Sequence, residues 1–150
     1  MIKELVDLAI EKQDENISKA IDDGYAREMS DAIFSDCFQK IHINIGRRTG
    51  KTSYIVENAK ENDFILCHRQ ILGFMERFKK NNLPHIVVAT KIDPLRFREI
   101  MIDHKKRIYP NEMGILYIDE PKFVFSGLNE ETYHDILNIL KPKRIIMLGD

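Results

Sequence analysis

The stretch Ile41–Ser53, IHINIGRRTGKTS, constrains this chain more than any other. An apolar run with the look of a strand, Ile41–Ile45, delivers Gly46-Arg47-Arg48-Thr49-Gly50-Lys51-Thr52-Ser53, and a helical pattern then runs through Tyr54, Ile55 and Val56 to about Lys60. A strand, a glycine-containing turn and a helix in that order aim successive backbone N–H groups at one point, where an anion is held. Lysine adds a cation for the β- and γ-phosphates of a nucleotide, and the threonine hydroxyl reaches Mg²⁺. Residues 46–53 are therefore expected to bind a nucleoside triphosphate, with Lys51 on the phosphates and Thr52 on the metal.

The rest of the chain alternates between helical and strand patterns. Residues 3–22 place Leu5, Leu8, Ala9, Ile17, Ala20 and Ile21 at helical spacing, as one helix or two short ones, and Gly24 ends it. A second helix from about Asp31 turns Ile33, Phe34 and Cys37 inward. Strands follow at Phe64–Cys67, His85–Ala89, Gly114–Ile118 and Lys143–Leu148, with helices over 70–80, from Asp93-Pro94 through Ile102, and after Asn129 over Tyr133, Ile136, Leu137 and Leu140. Asp93 before proline, and Asn129, are N-cap signals. Strands alternating with helices predict an α/β domain in three layers, a mainly parallel five-stranded sheet flanked by helices and preceded by N-terminal helices.

A second chemical motif closes the fourth strand: Ile115-Leu116-Tyr117-Ile118-Asp119-Glu120-Pro121. An apolar strand ending in adjacent carboxylates is what a nucleotide hydrolase needs opposite its phosphate turn. Asp119 would hold Mg²⁺ and Glu120 would polarise the attacking water. Parallel sheets bind ligands at the carboxyl ends of their strands, and both motifs fall there.

Together these residues resemble the P-loop NTPases of the RecA-like, catalytic-glutamate class, in particular the ATPase domain of phage large terminases and superfamily 1 and 2 helicases. Ile45 stands where the common phosphate loop has its first glycine, and Gly46 comes one position late with Arg47 after it, a variant similar to the terminase loop. Lys143-Arg144-Ile145-Ile146-Met147-Leu148-Gly149-Asp150 resembles the start of the third helicase motif, and Val87-Val88-Ala89-Thr90 is weakly similar to an intermediate helicase strand. The resemblance covers about residues 40–150. It implies a RecA-like core there, a helical segment over 1–39, and the strand 143–148 lying between 41–45 and 115–118. It also implies ATP or ADP with Mg²⁺, and Arg47 acting in cis on the γ-phosphate beside a less specific Arg48. DNA packaging, translocation or remodelling would be the work, in a protein that is phage-encoded within a bacterial host. The nuclease domain of terminases and the second RecA-like domain of helicases do not follow Asp150. Either a protein partner or self-assembly completes the site, or the sequence is a piece of a longer chain.

Composition narrows the remaining choices. Over 150 residues, 43% apolar and 31% charged content suits one folded domain and not a disordered chain. No apolar run is long enough to cross a bilayer, and the N-terminus has no signal-type apolar core, so a cytoplasmic protein is expected. Cys37 and Cys67 read as two small, buried, reduced side chains. His42, His68, His85, His104 and His134 show no metal-ligand spacing, and His42 reads as a sheet residue. The net charge of −1 hides an acidic first third and a basic middle, in which Lys105, Lys106 and Arg107 form a cluster suited to nucleic-acid phosphates. His68 and Arg69, after the second strand, are further nucleic-acid candidates. Two functions stay open: an ATPase coupled to nucleic acid, and a nucleotide-dependent interaction module with little or no turnover.

Overall fold

The computed structural model describes residues 2–44, 46, 50–68, 85–88 and 93–150. Among the described residues twelve elements follow in order: α1 (Ile2–Asp22), α2 (Tyr25–Glu28), α3 (Asp31–Phe38), β1 (Lys40–Ile43), α4 (Lys51–Asn58), β2 (Phe64–Cys67), β3 (His85–Val88), α5 (Pro94–Ile108), β4 (Ile115–Asp119), α6 (Pro121–Ser126), α7 (Glu130–Leu140) and β5 (Arg144–Leu148). The helix expected over 70–80, and Ala89 and Thr90, lie outside the described residues.

The strands form one five-stranded sheet in the order β1-β5-β4-β2-β3. Every pair is parallel, with Ile41 opposite Ile146, Leu116 opposite Ile145 and Ile65 opposite both Tyr117 and Ile86. The last strand in sequence thus lies between the first and the fourth, the position the resemblance implies for it. Burial follows from that order. β2 and β5 are buried at every residue and β4 at all but its first, because helices cover both faces of the central strands. β1, at the edge, buries only Ile41 fully.

Alternate residues feed two cores. Phe64, Leu66, Leu116, Ile118, Ile145 and Met147 meet α5 and α7 through Phe97, Met101, Ile136, Leu137 and Leu140. Ile65, Tyr117, Ile146 and Leu148 meet α1 and α4 through Ile2, Val6, Tyr54 and Ile55. Residues 2–39 therefore contribute to the sheet's cover. Arg144, buried at the start of β5, donates to Gln13 Oε1 and Asp14 Oδ1 of α1, both at 3.0 Å, and fixes that helix across the sheet.

Two expectations about helix faces and one about a helix end need correction. In α1 the buried residues are Ile2, Val6, Gln13 and Ala20, whereas Leu8 and Ile21 are 65% and 53% exposed and Leu5 is also exposed. The long-range bond to Arg144 sets that rotation. In α3, Ala32 and Ser35 face inward while Ile33 and Cys37 are exposed, because small residues let the helix sit close to its neighbours. Cys37 is therefore not buried, although Cys67 is. Third, α5 runs past Ile102 to Ile108, its inward stripe continuing through His104. Its N-cap behaves as the sequence predicts: Asp93 accepts from Leu95 N at 3.3 Å, as Asn129 accepts from Thr132 N at 2.8 Å at the start of α7.

His104 is fully buried at the amino edge of the sheet. Its Nε2 donates to the Asn62 carbonyl at 3.4 Å, so the neutral ring offers Nδ1 as acceptor to His85 Nδ1–H at 2.7 Å and Arg107 Nη2 at 3.4 Å. Burial, then the neighbouring His85 and Arg107, pull its pKa down from 6.5 to about 4 against the Asn62 carbonyl, which raises it. The unfolded chain takes up this proton near pH 6.5 and the folded chain only near 4. Stability is therefore expected to fall as pH drops between those values, by at most about 3 kcal/mol from this group. Urea denaturation of wild type and His104→Leu at pH 7 and pH 4.5 checks this. The variant should lose most of the pH dependence, and equal slopes would contradict it.

Candidate active site

Because all strands are parallel, the ends of β1, β4 and β5 share one edge. The turn after β1 reaches α4 through Gly46 (φ 83°) and Gly50 (φ 84°), both in the left-handed region. A Cβ at either glycine would meet nothing within 4 Å, so backbone hand and not space demands glycine there. Lys51 and Thr52 open α4, with Tyr54 N closing the first helical bond on the Gly50 carbonyl at 2.8 Å.

Lys51 is 7% exposed, and an ammonium so buried needs partners. Its Nζ donates to the Gly46 carbonyl at 2.5 Å and lies 3.0 Å from Glu120 Oε1. Thr52 Oγ1 donates to Asp119 Oδ2 at 3.3 Å. The two motifs, separated by the whole middle of the chain, thus meet through two side-chain contacts. Asp119 is buried, and Cys67 lies close enough to feel its charge. Burial first, and then Asp119, push the Cys67 thiol up to about 11, which makes it inert as a nucleophile.

Glu120 adopts φ 56° and ψ 70°, a left-handed conformation that costs a non-glycine residue about 1–2 kcal/mol. Its N–H donates to the Leu148 carbonyl at 2.9 Å, and Pro121 starts α6 directly after it. Gly149 backs it: a Cβ there would stand 2.4 Å from Glu120 Oε2 and 3.2 Å from its Cα. Gly149 in turn donates to the Ile43 carbonyl at 2.9 Å, and its own carbonyl lies 2.7 Å from His42 Nε2. Asn44 Nδ2 donates to Asp150 Oδ1 at 2.6 Å, and Lys122 N donates to the Asp150 carbonyl at 2.7 Å. The end of β5 thereby ties the strand before the glycine turn to the helix after the carboxylate pair.

Of the residues predicted from sequence, Gly46, Gly50, Lys51, Thr52, Asp119 and Glu120 come together here, and Ser53 sits half-buried in the first turn of α4. Arg47, Arg48, Thr49 and Arg69 lie outside the described residues. His68 is at this edge, stacked on Phe123. Lys105, Lys106 and Arg107 are not: they form the last turn of α5, where Arg107 Nη2 donates to the Glu61 carbonyl at 3.4 Å, just before β2 begins. That basic cluster belongs to the opposite edge of the sheet, because α5 runs antiparallel to the strands. Sequence reasoning did not single out Gly149 as the support for Glu120, or Phe123. The signals for Gly149 were its place directly after an apolar strand and the Gly149-Asp150 ending of that strand, and neither pointed to Glu120.

Among the described residues, no three His, Cys, Asp or Glu side chains gather into a metal centre. The Thr52 hydroxyl and the Asp119 carboxylate are oxygen donors of the kind that would hold a hard cation such as Mg²⁺. In comparisons with known proteins, the chain matches no protein-family model, no curated protein and no solved structure.

Gly149→Ala forces the Glu120 carboxylate off its perch, and φ 119° adds backbone strain. The expected loss of stability is about 1–3 kcal/mol, smaller in a Glu120→Ala background, where the carboxylate contact no longer exists. Thermal unfolding of the two single variants and the double variant measures this. Equal losses in both backgrounds would show that Gly149 does not support Glu120.

Proposed function

We propose that this protein binds and hydrolyses ATP in a Mg²⁺-dependent reaction, as a P-loop protein of the RecA-like, catalytic-glutamate class, and acts on or with nucleic acid in the manner of helicases and terminases. The observation that carries this reading is the convergence of Lys51 and Thr52, at the start of α4, on Glu120 and Asp119, at the end of β4, on the carboxyl edge of a parallel sheet. Left-handed glycines before a helix that opens Gly-Lys-Thr suit a phosphate cradle. The strand order, with β5 between β1 and β4, also supports the RecA-like assignment.

Under this reading Lys51 neutralises the β- and γ-phosphates, and Thr52 and Asp119 hold Mg²⁺, which supplies further positive charge there. Glu120 orients the attacking water and accepts its proton, and Arg47 faces the charge that develops on the transferred phosphoryl group. The strained backbone of Glu120 fits a residue held for chemistry at the expense of stability.

One observation favours a second reading. The Glu120 carboxylate is paired with Lys51, and a protein that kept this pair with nucleotide bound would be a nucleotide-dependent interaction module without turnover. Phosphate release separates the two. Hydrolysis should require Mg²⁺, rise with single- or double-stranded DNA or RNA, and fall at least about 100-fold in Lys51→Ala and Glu120→Gln. Tight nucleotide binding with no release under any of these conditions would favour the module.

A further inference from the structure

Phe123 is an exposed aromatic ring on α6. α6 docks through Pro121 and Val124, both buried, while Phe123 is 44% exposed. Its ring stacks on His68, with centroids 4.8 Å apart and planes inclined by 28°. His68 directly follows β2, whose Leu66 pairs with Ile118 of β4, so the stack stands beside Asp119 and Glu120 on the side away from the glycine turn. Its backbone is fixed by local bonds: Phe123 N donates to the Glu120 carbonyl at 3.0 Å, and Ser126 Oγ donates to the Phe123 carbonyl at 2.7 Å. Lys122, next to it, is exposed and offers a cation.

A rigid aromatic pair with one ring open to water, at the ligand-binding edge of a parallel sheet and next to a lysine, is the arrangement on which an unpaired base stacks while its phosphate meets the cation. Histidine and phenylalanine both serve as stacking partners for splayed-out bases. We propose that Phe123, supported by His68 and flanked by Lys122, is a stacking site for an unpaired nucleobase. The strand order favours a base of single-stranded nucleic acid over the base of the nucleotide, because β4 separates the stack from β5 and β1. The inference rests on the proposed function only for the identity of that strand. It needs no hydrolysis.

The test is oligonucleotide binding without nucleotide, at low salt, by fluorescence anisotropy. The probes are a 20-nucleotide oligothymidine and an abasic strand of equal length and charge. Wild type should prefer the base-bearing strand by about ten-fold or more, and Phe123→Leu should bind both strands alike. Phe123→Tyr should keep the preference, and His68→Ala should reduce it. ADP affinity and phosphate release without nucleic acid, measured on the same variants, separate the two sources of the base. If both are unchanged while the preference is lost, the base belongs to the nucleic acid. If ADP affinity drops instead and oligonucleotide binding does not, the base is that of the nucleotide. A wild type that binds thymidine and abasic strands equally, with ADP affinity unaltered in Phe123→Leu, overturns the proposal. Because leucine keeps the apolar bulk and tyrosine keeps the ring, a general folding defect cannot imitate the expected pattern. Loss of hydrolysis in every preparation, with the base preference intact, would count against the ATPase reading and leave the stacking site standing.

Discussion

The insertion of β5 between β1 and β4 is the constraint on which the carboxyl edge depends. Neighbouring strands lie about 4.8 Å apart, so one intervening strand holds the backbones of β1 and β4 about 9–10 Å apart. Long side chains from the two flanking elements can meet across that gap, as Lys51 and Glu120 do. All five residues of β5 are buried, and its hydrogen bonding continues beyond the strand, from Gly149 N to Ile43 and from Glu120 N to Leu148.

Two costs are visible at this edge, and both sit in the same few residues. A lysine is buried, and a glutamate holds a left-handed backbone conformation. Each would be destabilising alone, since a buried ammonium needs compensation and a strained backbone must be over-determined by its surroundings. Here the glutamate compensates the lysine, and Gly149, Pro121 and the Leu148 carbonyl fix the glutamate. Both costs thus gather in the residues on which the proposed function rests.

Much of the architecture was legible because its signals are local. The fully apolar Phe64–Cys67 announced a strand, and Asp93 and Asn129 announced helix starts through bonds made within three residues. The approach of the Asp119-Glu120 strand end to the glycine turn was legible from chemistry, since each motif called for the other, but the direct pairing of Lys51 with Glu120 was not. What could not be read depends on distant partners. The rotation of α1 is set by Gln13 and Asp14 on Arg144, at the far end of the chain, and no periodicity within the helix encodes that. Ala32 and Ser35 face inward in α3 because they are small, which a reading by hydropathy assigns to Ile33 and Cys37 instead. The basic cluster at 105–107 was visible in sequence. Its edge of the sheet was decided by the length of α5.

The claim that the carboxyl edge is a nucleotide site is tested most directly by calorimetric titration of the protein with ADP, with and without Mg²⁺. One nucleotide per chain, bound more tightly with Mg²⁺ and lost when Lys51 is replaced by alanine, is the expected result. No heat of binding in either condition, or binding indifferent to Lys51, would contradict it.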